Sequence, residues 1–493
     1  MLIINLDEKS REPKYKQIIQ QVIEKINSQT LSSGDKLPST RNLAQMTGVH
    51  RSTAALAYQE LWSLGYVDLK PNSCPVVRER KEITGRSSSN VEGAIRWPEI
   101  SSSDNIIDRF GGIQSYNDSS LIDFSTMNID ISVLPFESFR CCLNEAIYKI
   151  GGELFEYGDP MGYYPLRKYI CKHLENHGVS VLPEEIMITN GTQQAIDLVL
   201  KMIAIPGKKI VIESPTYKEI FPLLDLYKLV PVEIPVNENG IDLDLLEEKI
   251  LTEKPVLIYT MPNFQNPTSI TTSQESRERL ISISEKYRIP IIEDGFQEEM
   301  KYFGKTALPV KSMDKHKTVI YCSSFSKVLF PGVRVGWIAA DSQCIKRLAS
   351  LRHFSEISPS MILQAGLFNF CSKGYYDRHI SRLNRTYKKR MKIAIDSLNK
   401  YMDKNLVYWH EPSGGYLIWI KLLGACRFKD VERIVEQSGV RVSMGDRYFY
   451  TDTDSVFFRL SISSLNENSI SEGIRRLERA VDKIFSQGEV NYE

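Results

Sequence analysis

The chain has 493 residues, 42% of them hydrophobic and 25% charged, with a formal net charge of +1. A chain of this length allows two to four domains of about 150 residues each, with a sizeable buried core. The composition is ordinary for a globular protein and excludes a uniformly basic coat. Charge is uneven, however: residues 11–81 hold eleven Lys/Arg against six Asp/Glu, which leaves the remainder slightly acidic. A small basic region on an acidic body suits contact with a polyanion at one end. The eight cysteines form no C-x-x-C pair, a pattern that excludes a disulfide scaffold and structural zinc and fits thiols in a reducing compartment. The start, "MLIINLDEKSREPKYKQ", has acids where a secretory signal needs a basic and then apolar run. No apolar run approaches the ~18 residues of a membrane span, so the expectation is a cytoplasmic protein.

In chain order, "KYKQIIQQVIEKINSQ" (14–29) is amphipathic and predicts a supporting helix. "STRNLAQMTG" (39–48) predicts a capped helix ending at Gly48, and "VHRSTAALAYQELWSLGY" (49–66) a second with Ala54, Ala57, Leu61 and Leu64 available for packing. Helix, Gly-containing turn and helix is the arrangement in which the second helix enters a DNA major groove, although the pattern alone also fits a small packing module. "YVDLKPNSCPVV" (66–77) predicts a short hairpin, or wing. Residues 80–120 turn polar, with nine serines in the 37 residues from Thr84, and predict a linker; its Ile95, Trp97 and Phe110 suggest that parts of it dock on a surface. From Leu121 onward, β-rich runs ("EEIMITN", "KKIVIES", "KPVLIYTM", "RIPIIED", "KTVIYCS") alternate with helix-length stretches, the mark of an α/β domain with a mainly parallel sheet.

Four strand ends carry the chemistry. "IMITNGTQQ" passes through Gly191 and Thr192 into a helix whose free N–H groups suit a phosphate. "YTMPNFQNPTS" ends a strand at Asn263 and Asn266, "PIIEDGF" another at Asp294, and "VIYCSSFSK" a fourth at Lys327. In open α/β sheets ligands sit beyond the carboxyl ends of the strands, so one crevice receives a phosphate site, an amide, a carboxylate and a lysine. Pyridoxal phosphate requires that set: a lysine for the Schiff base, a carboxylate for the pyridine nitrogen, an amide for the ring O3′ and an anion nest. His173 and His177 in "CKHLENHG" have metal-ligand spacing without a visible third ligand, so they are read as a solvated helix face and no metal is expected. The basic run 378–390 is read as the exposed side of a long helix.

Two family resemblances rest on these residues. "LPSTRNLAQMTGVHRST" (37–53) resembles the winged helix-turn-helix of the GntR regulators. That resemblance implies DNA contacts from Arg41, His50, Arg51, Ser52 and Thr53, with Lys70 and Asn72 near the wing. His50 departs from a frequent serine, and "KPNSCPVV" from a Gly-rich wing tip. From about Leu121, the chain resembles a fold-type I, class I aminotransferase. "YGDPMGYYPLR", "ESPTY", "PNFQNPT", "SSFSKVLFPGVRVGW" and "FFRLSIS" carry the likeness. It implies that Lys327 is the Schiff-base lysine and that Tyr217 stacks on the ring. Asn266 would bond O3′, and Asp294 the pyridine nitrogen. Gly191, Thr192, Gln193, Ser324 and Arg334 would surround the phosphate, and Arg459 would grip an α-carboxylate. Phe296 stands where relatives usually have a tyrosine that also bonds O3′.

The joint layout resembles the MocR subfamily of GntR regulators and implies a multidomain chain. An α+β winged helix-turn-helix (11–79) and a linker (80–120) would precede an α/β PLP-dependent transferase domain (121–493). That domain would have a large part at about 160–385 and a smaller α+β part at about 386–493. The function implied is a PLP-dependent, homodimeric transcriptional regulator that binds an operator and senses an amino acid, an amine or PLP itself. An active aminotransferase carrying an autoregulatory DNA-binding domain is the alternative, since sensing and catalysis use the same residues.

Overall fold

The computed structural model describes residues 2–8, 10, 12–70, 73–78, 104–110, 120–304, 308–424 and 428–488. The chain divides into two compact units, residues 1–99 and 100–493. Ile95, Trp97, Asn72 and Cys426 lie outside the described residues, as does most of the expected linker.

The first unit contains α1 (Lys14–Asn27), α2 (Thr40–Thr47), α3 (Arg51–Ser63) and a two-stranded sheet of β1 (Val67–Asp68) and β2 (Val76–Val77). Ser39 caps α2 by accepting from the Asn42 N–H, and Gly48 ends it in the left-handed conformation at φ 66°. Ile18, Val22, Leu43, Ala54, Ala57, Tyr58 and Leu61 form its core with Val67 and Val77 from the hairpin. The expectation for Leu64 fails: it caps α3 at its C-terminus and is 50% exposed, because the helix stops one residue earlier.

The second unit opens with α4 (Asp104–Phe110), β3 (Ile122–Asp123), α5 (Phe136–Ile150) and α6 (Tyr164–Glu175). The segment around Phe110 does dock: Arg109 pairs with Asp225 at 3.1 Å, and the Phe110 ring lies 6.3 Å from that of Phe221. An eight-stranded sheet follows. It comprises β4 (Ile186–Thr189), β5 (Lys209–Ser214), β6 (Val230–Asn237), β7 (Gly240–Ile241), β8 (Ile258–Thr260), β9 (Ile291–Asp294), β10 (Val319–Ser324) and β11 (Gly336–Ala339). Its order is β4-β11-β10-β9-β8-β5-β6-β7, with β11 and β7 alone antiparallel to their neighbours. All five runs expected as strands form in this sheet: β5, β8, β9 and β10 pair in parallel, while β4 runs in the same direction at the edge and pairs only with the antiparallel β11.

Alternation along each strand feeds two faces. Ile210, Ile212, Tyr259, Ile292 and Ile320 join one core cluster, whereas Val211, Ile258, Ile291 and Val319 join another on the opposite side. The helices between the strands are α7 (Thr192–Ile203), α8 (Phe221–Leu226), α9 (Leu243–Glu253) and α10 (Gln274–Tyr287). They are followed by α11 (Ser342–His353), α12 (Met361–Ser372) and α13 (Tyr375–Tyr401).

Residues Arg378, Arg382, Arg385, Lys388 and Lys389 of α13 are exposed as expected, but Arg390 is buried and paired with Asp130 at 2.6 Å. The smaller part carries a four-stranded antiparallel sheet of β12 (Val407–Trp409), β13 (Leu417–Leu422), β16 (Phe457–Ser461) and β15 (Ser443–Met444). With it come α14 (Phe428–Gln437), β14 (Val440–Arg441, paired with β3) and α15 (Glu467–Gly488). Among the described residues no helix is long and apolar enough to cross a membrane, and the described cysteines are free.

Candidate cofactor site and candidate DNA-binding face

In the second unit, a cavity of about 350 Å³ opens beyond the carboxyl ends of the parallel strands. Thr192, Gln193, Tyr217, Asn266, Asp294, Phe296, Ser324, Lys327, Arg334 and Arg459 all line it. The structure therefore brings together every residue expected for the cofactor except Gly191, which lies beneath Arg334 at the same edge.

Asp294 ends the central strand β9 with its side chain buried. Tyr259, beside it on β8, donates its hydroxyl to Oδ2 at 3.0 Å, while Oδ1 has no hydrogen-bond partner. Burial pushes the carboxyl up to about 7, and the Tyr259 hydroxyl and the Phe296 N–H oppose the rise. A buried acceptor left open in this way fits a protonated ring nitrogen, whose charge would restore the carboxylate.

Lys327 follows β10. Burial first, then the Arg459 and Arg334 guanidinium groups, bring its amine down to about 8, against the opposing pull of Asp294. An amine so placed spends a useful fraction of its time unprotonated near neutral pH, as a nucleophile needs.

The phosphate end is built by close backbone approach. Gly191 has φ 84° and ψ 175°, and a Cβ there would stand 2.6 Å from Arg334 Nη2. Gly336 on β11 packs on Gly191 from the other side, where a Cβ would meet its backbone at 2.8 Å. Glycine at 191 thus lets Arg334 cross the amino end of α7, donating from Nη2 to the Asn190 carbonyl at 2.8 Å and from Nη1 to Ser326 Oγ at 3.4 Å. The amino end of α7, the Arg334 fork and the Ser324 and Ser326 hydroxyls thus meet at one edge of the cavity, where they could hold an anion.

Arg459, on β16, is buried at the other end. It donates to the Ser125 carbonyl and, from Nη1, to Asn266 Oδ1 at 3.4 Å, and its Nε has no partner. No carboxylate pairs with it among the described residues, so the fork remains open to one from outside. Burial raises the Tyr217 hydroxyl well above its usual range. Phe296 is buried in the same cluster as Met261 and Ile292 and has no side-chain hydroxyl to offer.

Sequence reasoning missed several lining residues, among them Ser125, Met127, Ser326, Ser443 and Tyr448, and also Tyr259 behind Asp294. Ser326 was legible, since it sits inside the quoted "SSFSK". Tyr259 was not, because one aromatic in a buried strand reads as core. The reading of His173 and His177 as a solvated face is corrected: their side chains are 11% and 19% exposed and face Glu299 and Glu298. The residues that cover them come from a turn more than 120 positions away, beyond the reach of local periodicity.

In the first unit, Arg41, His50, Arg51, Ser52 and Lys70 are exposed and Thr53 is half-buried. They cluster at the starts of α2 and α3 and at the hairpin. His50 takes up the cap that a serine would supply: its Nδ1 accepts from the Ser52 N–H at 3.3 Å and lies 2.7 Å from Ser52 Oγ.

Residues 125–477 match the family described as aminotransferase class I and II, and residues 14–77 that of bacterial regulatory proteins, gntR family. The chain is 31% identical to aromatic-amino-acid aminotransferase 1 of Thermococcus litoralis over 70% of this chain and 84% of that one. It is 27% identical to the uncharacterized HTH-type transcriptional regulator YdfD of Bacillus subtilis over 96% and 98% of the two chains. Among solved structures it resembles LysN, the α-aminoadipate aminotransferase of Thermus thermophilus. The TM-score is 0.73 at 26% identity, covering 80% of this chain and 100% of that one. The chain therefore belongs to the aminotransferase class I and II family, and with its gntR-family head it has the layout of the MocR regulators.

Proposed function

We propose that the protein is a PLP-dependent transcriptional regulator, with a head that binds an operator in double-stranded DNA and a transferase-like unit that senses an amino acid, an amine or PLP itself. The observation that carries this reading is the pairing, in one chain, of an exposed Arg51–Ser52 helix start with a cavity where Asp294, Lys327, Arg334 and Arg459 converge. When bound, pyridoxal phosphate supplies an aldehyde that condenses with primary amines and a ring that accepts electron density.

The chain's own residues do the rest. Arg334, Ser324, Ser326 and the amino end of α7 hold the phosphate. Asp294 would accept a hydrogen bond from the protonated ring nitrogen, with Tyr259 keeping the carboxylate oriented. Lys327 gives up and takes back a proton at Nζ, helped by the low dielectric around it. Tyr217 and Phe296 exclude water, and Asn266 and Arg459 orient a carboxylate-bearing ligand. In the head, Arg41, Arg51 and Lys70 reach phosphates or base edges, while Ser52 and Thr53 place the start of α3.

A signal passes only if the ligand binds two states of the protein with different affinity. We further read the protein as a cytoplasmic homodimer. Tyr148, Phe155 and Tyr157, within ten residues of one another, are 90%, 69% and 81% exposed on the second unit, large side chains that a second copy would cover. An active aminotransferase with an autoregulatory head is favoured by the retained Lys327, Asp294, Asn266 and Arg459.

One experiment separates the two readings. The cofactor-loaded protein is mixed with a panel of amino acids and amines, with and without a keto-acid acceptor, while visible absorbance and keto product are followed. Regulation predicts a spectral change that ends at one equivalent or less. Product released over many equivalents would overturn it in favour of the enzyme.

A further inference from the structure

His173 in the last turn of α6, His177 just beyond it and Glu299 form the single group of three potential metal ligands that converges among the described residues; their ligand atoms all lie within 4.8 Å of one another. His173 Nε2 is 2.8 Å and His177 Nε2 3.5 Å from the same oxygen, Glu299 Oε1. Zinc held by bonds of about 2.0–2.1 Å in a tetrahedron sets its donors about 3.3 Å apart, so the two separations to Glu299 bracket what the ion requires, and side-chain rotation would set the His173–His177 pair, now within 4.8 Å.

The surroundings are those of a built site. His177 turns its other nitrogen, Nδ1, toward Glu298 Oε1 at 3.3 Å, an ion-pair distance off the hydrogen-bond direction. Glu298 is held in turn by the Tyr321 hydroxyl on its second oxygen. A carboxylate behind a ligating histidine fixes the ring and its tautomer. Trp337 and Tyr376 present ring edges to His173 at 6.4 and 5.8 Å. The cluster borders a cavity of about 10 Å³, near the minimum that holds one water or ion. Phe296 and Ser324 line this cavity and the cofactor cavity alike.

We propose that His173, His177 and Glu299 bind one divalent transition-metal ion of the zinc class, with Glu298 orienting His177 and a fourth position left for water. Three protein ligands with an open position suit an ion that exchanges rather than one that staples a fold. The site does not depend on the sensing reading, since it uses none of the residues assigned to the cofactor.

The test uses the full chain without a histidine tag, loaded with cofactor, stripped by chelator and titrated with Co²⁺, then with Zn²⁺ as competitor. The expected result is one Co²⁺ per chain with the visible bands of four-coordinate nitrogen and oxygen ligation, displaced by Zn²⁺. His177→Asn and Glu299→Gln should abolish that binding, and Glu298→Gln should weaken it about 10- to 100-fold. Zn²⁺ should also raise the Tm of the wild type but not of the first two variants. Folding of the variants is checked by their retained cofactor absorbance. No cobalt bands, thiolate charge-transfer bands, or binding unchanged in both His177→Asn and Glu299→Gln would overturn the proposal and leave the cluster as histidine–glutamate ion pairs.

Discussion

Gly191→Ala tests the phosphate cradle at its tightest point. The new Cβ would lie 2.6 Å from Arg334 Nη2 and 3.1 Å from Cζ, and the backbone at φ 84°, ψ 175° is a conformation almost confined to glycine. Backbone strain of that kind costs about 1–3 kcal/mol. The guanidinium must also withdraw by roughly 1 Å to reach ordinary contact distance, which breaks its 2.8 Å bond to the Asn190 carbonyl. Losing one charge-assisted bond to phosphate costs about 1.5–3 kcal/mol, so the dissociation constant for pyridoxal phosphate should rise roughly 10- to 150-fold.

Equilibrium dialysis of the apoprotein against the cofactor measures it, with Arg334→Ala and the double variant completing a cycle. If Gly191→Ala acts by displacing Arg334, adding it to Arg334→Ala should cost little further affinity. Additive losses, or an unchanged constant in a folded Gly191→Ala protein, would refute the reasoning.

Four other outcomes follow from the same geometry. Lys327→Ala should lose the bound cofactor's visible absorbance on extensive dialysis; a variant that keeps it removes Lys327 from the attachment role. Asp294 keeps its proton up to about pH 7 in the folded apoprotein but loses it near 3.8 when unfolded. Its contribution to stability therefore falls as pH rises through that window, by about 1.4 kcal/mol per unit. Glu213 and Glu293, each pushed by burial to about 7, add to the decline. Comparison with Asp294→Asn by denaturant titration from pH 4 to 8 isolates the Asp294 part, and identical slopes would contradict it. Arg459→Ala should weaken the spectral response to amino acids about 10- to 100-fold while sparing simple amines; equal loss for both would deny it the carboxylate. Arg51→Ala should weaken operator binding and lower the log–log salt slope by about 1, as a gel-shift series at several ionic strengths would report.

The legible parts of the chain are those where one physical requirement acts on neighbouring residues. The capped helix from Ser39 to Gly48 and the five parallel strands follow from caps, breakers and β-rich runs within ten residues. The cofactor cavity was legible because strand ends at one edge of a parallel sheet converge wherever their lengths place them. What sequence could not show depends on distant partners. Tyr259 meets Asp294 through strand pairing, Arg390 meets Asp130 across 260 positions, and His173 of α6 and His177 beyond it meet Glu299 and Glu298 from a turn after β9. Leu64 misled because an apolar residue at helical spacing carries no mark of where the helix ends.

The packing of Gly336 on Gly191 has a consequence in time. The head has its own core by Val77, whereas the cradle lacks β11 until residue 336 has been made. At roughly 5–20 residues per second, synthesis of the intervening stretch occupies about 13–50 s. For that interval each new chain carries a complete helix α3 in its head while the strand that closes the Gly191 edge of the cavity has yet to be made.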